Sequence, residues 1–244
     1  MLTRFSDKIF GENEELIDSE LAEKDEAASN EKLELGKRDL ILALGIFFMA
    51  LIPRFVYVFI LSNPNLPGWY TDVFHHWQIA YLSKEIGFHQ GFLRLWDFKG
   101  MEFFWGLLHP LVLVILFYLT GSISIIIPRL LSIVGGSISI VLSFFIVRRF
   151  FGKNAALASA IFASFFPITL FSNTVGMQEE LAAPLILGGI LLWPRAPFLV
   201  GILFALASMV RAEYWLFAVG LIGAGIILRR NLDKVLILVL SYSI

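Results

Sequence analysis

The side chains able to do chemistry are unevenly distributed along this chain. All four histidines, His75, His76, His89 and His109, fall between positions 75 and 109. Trp69, Trp77, Trp96 and Trp105 lie in or beside that stretch, and so do the acids Asp72, Glu85, Asp97 and Glu102. A second polar group is Glu179–Glu180, a third is Arg211–Glu213, and Arg129 stands alone in apolar sequence. There is no cysteine, which excludes a thiolate nucleophile, a Cys-ligated metal and a disulfide framework.

Asp72, His75 and His76 are spaced i, i+3 and i+4, so a helix carries the carboxylate and the imidazoles on one face. Three readings of Asp72 compete. It is a first-turn carboxylate favoured by the helix dipole, a general base or electrostatic catalyst at the water–lipid boundary, or a metal ligand with His75 or His76. No known metal signature matches this spacing, so a divalent cation (Mg or Mn) is compatible with the set but not required by it. His89 reads as a loop residue.

Arg129 and Arg211 need anionic partners if they lie within a membrane. Glu213, Glu179 and Glu180 are structural partners in reach of Arg211. For Arg129, placed near the outer surface, a lipid phosphate held by two parallel hydrogen bonds is the competing reading. Glu179 and Glu180 open an apolar helix, where the dipole favours acids. They could equally share a cation or an acceptor hydroxyl.

The elements positioning these residues follow from composition. Of 244 residues, 58% are apolar and 16% charged, with a mean hydropathy of +0.79. Soluble domains are about half apolar and a quarter charged, so an ordinary cytosolic domain and a nucleic-acid binder are excluded. Residues 1–36 hold eleven acids and four bases, against nine and fifteen in residues 37–244. The acidic stretch reads as a mostly disordered cytoplasmic tail and not a signal peptide, and residues 37–244 as a membrane domain.

A span needs roughly 20 apolar residues. Leu40–Leu61 qualifies, with Arg54 able to snorkel from its far end. Ile123–Val147 and Ala155–Ser172 follow, then the shorter Leu181–Trp193. Pro197–Leu228 carries Arg211 and Glu213 at its centre and reads as two helices turning there. Val235–Ile244 begins another. Basic clusters at Lys37/Arg38, Arg148/Arg149/Lys153, Arg195 and Arg229/Arg230/Lys234 can all be cytoplasmic only if residues 62–122 make no net crossing. Trp105–Leu119 is therefore an interfacial or re-entrant helix. Tyr70–Ile86 reads as an amphipathic surface helix closed by Gly87, with Val73, Trp77 and Ala80 joined by Phe74 and Tyr81 on its apolar face. Gly135–Gly136 and Gly188–Gly189 permit close helix approach. The expectation is an all-α, multi-pass integral membrane protein with a cytoplasmic N-terminus. It has six to seven transmembrane helices and an outer segment at 62–122.

This order of residues resembles the conserved membrane module of the GT-C glycosyltransferases. The segments carrying the likeness are Asp72, His109-Pro110-Leu111, Pro128-Arg129-Leu130-Leu131, Arg148-Arg149-Phe150-Phe151-Gly152, Leu95-Trp96-Asp97, Phe171-Ser172-Asn173, Glu179-Glu180 and Met209-Val210-Arg211-Ala212-Glu213. The His-Pro and Arg-Leu-Leu segments are most similar to the protein mannosyltransferase and aminoarabinose transferase branches. Leu95-Trp96-Asp97 and Phe171-Ser172-Asn173 are nearer the lipid-linked mannosyltransferases.

The resemblance implies transfer of a hexosyl or mannosyl group from a polyprenyl (dolichyl) phosphate donor to a protein, lipid or glycan acceptor at the outer face. Asp72 would be the acceptor base or a metal-site carboxylate, and Glu179 or Glu180 the second acid. Arg129 and Arg211 would contact phosphate, and His76 and His109 would line the substrate site. Members of that family continue well past this length. The chain ends inside a span, which implies a fragment or a second chain completing the fold. A carrier and a non-catalytic membrane subunit are the alternatives from other classes.

Overall fold

The computed structural model describes residues 37–66, 71–87, 106–227 and 232–243. The acidic tail 1–36, His89, Leu95-Trp96-Asp97, Glu102, Trp105 and Arg229/Arg230 lie outside the described residues.

The described residues are helical, with no strand among them. Helix α1 (Lys37–Val56) continues as a π-helical turn over Tyr57–Leu61. Then come α2 (Thr71–Glu85), α3 (Leu108–Thr120), α4 (Ile126–Phe165), α5 (Pro167–Ser172), α6 (Glu179–Leu192), α7 (Pro197–Ser208), α8 (Trp215–Ile227) and α9 (Leu232–Tyr242). Lys37–Leu61 and Ile126–Phe165 are long and apolar enough to cross a membrane. Helix α1 and its π-helical turn point large apolar side chains outward, with Ile41, Ile52, Ile60 and Leu61 all more than half exposed. Contiguous exposed apolar surface of this kind marks a membrane-facing or partner-facing element.

Helix α4 is not straight. Gly152, at φ 82° and ψ 173°, adopts a conformation that side chains rarely tolerate and breaks the ladder. A straight helix would hold residues 129 and 165 about 54 Å apart at 1.5 Å per residue. Instead both legs reach the same turn. Arg129 Nε and Ser132 Oγ donate to the carbonyls of Thr174 and Met177, at 2.8 and 3.1 Å. From the other leg, the Ser164 carbonyl shares the Arg54 guanidinium with Asn173. The helix is folded back at Gly152, and Ile140 and Phe144 of the first leg join Ala156 and Ala160 of the second around Ile46 and Ala50 of α1.

The bundle therefore has two recognisable ends. At one, Asp39 of α1 is ion-paired with Arg148, and the Trp193 carbonyl lies 3.3 Å from Arg149 Nη1. At the other lie Arg54, Arg129, the 173–180 turn and the 209–213 turn. Helices α6 and α7 form a hairpin between them, closed at the second end by Arg211 against Glu179. Residues 63–66 and 123–129 both sit at the second end, because Arg129 Nη1 donates to the carbonyls of Asn63 and Pro64. The two flanks of the intervening chain thus lie at the same end of the bundle. Within it α2 packs on α3 through Ile79, Ala80, Leu113, Val114 and Phe117, and Trp77 Nε1 donates to the Ile123 carbonyl at 2.7 Å.

Several expectations are corrected. The buried stripe of α2 is Val73, His76, Ile79, Ala80 and Ser83, while Phe74 is 42% exposed and Trp77 is half-buried, stacked on Tyr81. Val73 and Ala80 are buried as expected and Trp77 packs against the same cluster, but His76 also enters the core, where its ring meets His109 of α3. Arg54 does not snorkel. It has no exposed surface, since backbone carbonyls and Asn173 satisfy its donors inside the bundle. The helix expected over 123–147 begins at Ile126 and runs on to the Gly152 bend, and the one expected over 155–172 is divided at Phe166 by the start of α5 at Pro167. The turn expected around Arg211–Glu213 is present, as a 3-10 turn over Ala212–Tyr214.

Candidate functional site

The second end is organised by the 173–180 turn. It sits close on α4 because Gly135 and Gly136 leave room for it. A Cβ on Gly136 would lie 2.4 Å from Asn173 Cγ, and one on Gly135 would lie 2.0 Å from the Glu180 carbonyl oxygen. Three polar groups radiate from this turn.

The first is buried. Arg54 Nε and Nη2 donate to Asn173 Oδ1 at 3.0 and 2.6 Å. Asn173 is in turn hydrogen-bonded to the carboxylate of Glu180, a residue 9% exposed. The second is the clamp made by Arg129, only 2% exposed, on Asn63, Pro64 and Thr174. The third is half-open. Arg211 Nη1 donates to Glu179 Oε1 at 2.6 Å, while Nη2 and Nε hold both oxygens of Glu213 at 2.9 and 3.3 Å. Hydrogen bonds donated to Glu213 and Glu179 raise the Arg211 pKa further, so its charge is fixed.

Helix α3 brings His109 to this third group. Its N-terminus is docked on the 209–210 turn by the Leu108 amide donating to the Met209 carbonyl at 2.9 Å. Gly106 is what allows this approach, since a Cβ there would meet the Val210 carbonyl oxygen at 2.1 Å. His109 meets His76 edge to face, with ring centroids 4.9 Å apart. Burial pushes the His109 pKa down to about 3. Burial first, then the charges of His109, His75 and Arg211, pushes that of His76 well below its usual value. Both rings are therefore neutral at pH 7 and able to donate through one nitrogen and accept through the other.

Buried polar atoms without a hydrogen-bond partner accumulate here. Among the described residues they include both nitrogens of His109, both amide atoms of Gln178 and Glu179 Oε2. Orphaned buried polar groups are costly, and each calls for a water, an ion or a ligand.

Of the residues expected to act together, His76, His109, Glu179 and Arg211 share this region. Glu180, one residue from Glu179, belongs to the Arg54 network instead. Asp72 is half-buried in the first turn of α2, beside Val73, whose Cγ1 lies 3.2 Å from where a Gly176 Cβ would sit; the carboxylate is itself engaged. His75 is half-buried on the same turn. Asp72, His75 and His76 do not form a metal-binding group. No three His, Asp or Glu among the described residues are arranged to hold an ion, and no step is derived through one. Helical spacing put the three side chains on one face, but His76 turns into the core. Arg129, expected at the outer surface, is spent on backbone carbonyls.

Arg54, Asn173 and Gln178 emerge as functional-end residues that sequence reasoning did not assign. The signal for Arg54 was the same as for Arg129 and Arg211, an arginine in apolar sequence. Comparisons with protein-family models, curated proteins and solved structures each returned no match.

Proposed function

We propose that this chain is a multi-pass membrane glycosyltransferase module, N-terminus in the cytoplasm, acting on a polyprenyl-phosphate sugar at the outer face. The observation that carries the reading is one of convergence. Asp72, His76, His109, Glu179 and Arg211, spread over 140 positions, belong to elements that meet at one end of an apolar bundle. There a lipid tail stays in hydrocarbon while its headgroup reaches polar side chains.

In this reading Asp72 accepts the proton of an acceptor hydroxyl or amide as its oxygen or nitrogen bonds to the anomeric carbon. The bond from that carbon to phosphate breaks, and the polyprenyl phosphate leaves with the electron pair. Arg211 meets the charge that develops on the leaving phosphate. It is better placed for this than Arg129, because Glu213 is 60% exposed and can swing away, freeing two parallel guanidinium donors that match a phosphate. Arg129 instead positions the 63–66 segment. His76 and His109, neutral, offer hydrogen bonds to sugar hydroxyls. A hexosyl or mannosyl group and a protein, lipid or glycan acceptor fit this chemistry.

The test is transfer from a radiolabelled polyprenyl-phosphate mannose by the full chain in proteoliposomes. Asp72→Asn should lower transfer by about 10²–10⁴-fold, the range for a general base, with donor binding retained. Donor binding and transfer that are absent from the wild-type chain would overturn the reading. A non-catalytic membrane subunit is the second reading, and one observation favours it: protein groups already occupy the donors of both Arg129 and Arg211. It predicts that Asp72→Asn changes nothing.

A further inference from the structure

The opposite end of the bundle holds a groove of about 290 Å³ lined by Arg38, Asp39, Ile41, Leu42, Arg148 and Lys153. We propose that it is a binding site for the headgroup of an anionic glycerophospholipid, independent of the residues at the Arg211 end. The groove forms where the first turn of α1 meets the bend in α4. Arg148 is neutralised by Asp39, and among the described residues neither Arg38 nor Lys153 has an ion-pair partner. Among the described residues the site therefore keeps two uncompensated positive charges.

The backbone adds to this. Gly152 breaks the α4 ladder, so the second leg starts afresh at Lys153 and its positive dipole end faces the same corner as the N-terminus of α1. These features alone would suit any phosphate. A lipid is selected by the apolar surface in and around the groove. Ile41, 69% exposed, and Leu42 line the groove itself. Phe150 and Phe151, 67% and 75% exposed, stand on the adjoining turn, with Arg149 over the Phe150 ring at 5.7 Å. A soluble anion would have no use for these side chains. A lipid phosphate held by Arg38 and Lys153 would lay its acyl chains along them, in the way basic residues beside a membrane helix attract anionic lipids.

The proposal rests on the bundle lying in a bilayer and not on glycosyl transfer. The full chain is reconstituted into nanodiscs of phosphatidylcholine with about one phosphatidylglycerol in four, then released and weighed with its retained lipids by native mass spectrometry. Failure to enter the discs would count against the membrane reading; entry without enrichment would overturn the site alone. The expected result is phosphatidylglycerol retained about fivefold above its bulk share, falling to the bulk share in Arg38→Gln/Lys153→Gln. Asp39→Asn, which releases Arg148, should raise retention about twofold. Both variants alter surface side chains, and unchanged helical circular dichroism shows that they fold. Equal retention by wild type and the double variant overturns the proposal. So does saturable binding of inorganic phosphate that displaces the lipid, since the site would then read phosphate alone.

Discussion

The two ends of the bundle use the same residue types in opposite ways. At the Arg148 end Arg38, Arg149 and Lys153 are exposed, and Arg148 and Asp39 keep 37% and 27% of their side-chain surface. At the Arg211 end Arg54 and Arg129 are nearly or fully enclosed, each wired to several acceptors, and only Arg211 stays partly open at 33%. Exposed arginines keep their charge for whatever arrives from water or lipid. Buried ones have committed it to the fold, because a guanidinium removed from water must be hydrogen-bonded throughout. The contrast separates positions where an arginine is structural from those where it is available.

The sharpest way to break this contrast is at Arg54. Arg54→Ala removes the donors to Asn173, Ala50 and Ser164 and leaves Glu180 without its nearest cation. Breaking a buried charged network from one side costs about 3–5 kcal/mol, and denaturant unfolding in detergent should show a loss of that size. Little change would mean that Arg54 is not enclosed as described. Arg129→Ala should come next, at about 2–3 kcal/mol for charge-assisted hydrogen bonds lost to Asn63, Pro64 and Thr174. Its footprint is distinguishable by protease sensitivity, since the 63–66 segment is what the guanidinium holds.

The histidine pair gives a pH test. The folded-state pKa of His109 is depressed to about 3 and that of His76 is also lowered, both chiefly by burial. An unfolded chain binds protons at a histidine pKa near 6.5. Below that pH the unfolded state takes up protons that the folded state refuses. Stability is therefore complete above pH 6.5 and is lost as pH falls toward the depressed folded values. The slope contributed by each histidine approaches about 1.4 kcal/mol per pH unit. His109→Phe should flatten it. The same substitution removes two orphaned nitrogens, so stability at pH 7 should hold or rise. Any activity that depends on the ring would fall at the same time, and that split is the signature of a residue kept for a ligand.

Part of the arrangement, though not the contrast itself, was legible in the sequence, and the reasons are physical. The charge bias grouped Arg38 with Arg148 and Lys153, and these three line one groove with Asp39. A short polar pair in a long apolar run marked the Arg211–Glu213 turn, since two charges at the centre of a single apolar span are costly. Not legible was which arginine ends buried. Arg54, Arg129 and Arg211 look alike in one dimension, and what distinguishes them is the course of the 173–180 turn, which depends on two glycines one helix away. The apolar face of α2 was legible through Val73, Trp77 and Ala80, but not its whole extent. Its buried stripe also takes in His76 and Ser83, which hydropathy does not flag as core residues.

The smallest expected effect completes the comparison at the Arg148 end. Arg148→Ala breaks an ion pair that water still reaches. Exposed pairs typically contribute 0–1 kcal/mol, because the Coulomb gain is screened and two long side chains must be held still. Unfolding in detergent should therefore shift by no more than about 1 kcal/mol, and less at high salt. A loss approaching that of Arg54→Ala would mean that Asp39 fixes the start of α1 and that the two ends are built alike. The measured gap between the two substitutions is thus a direct reading of how differently the fold treats one side chain at its two ends.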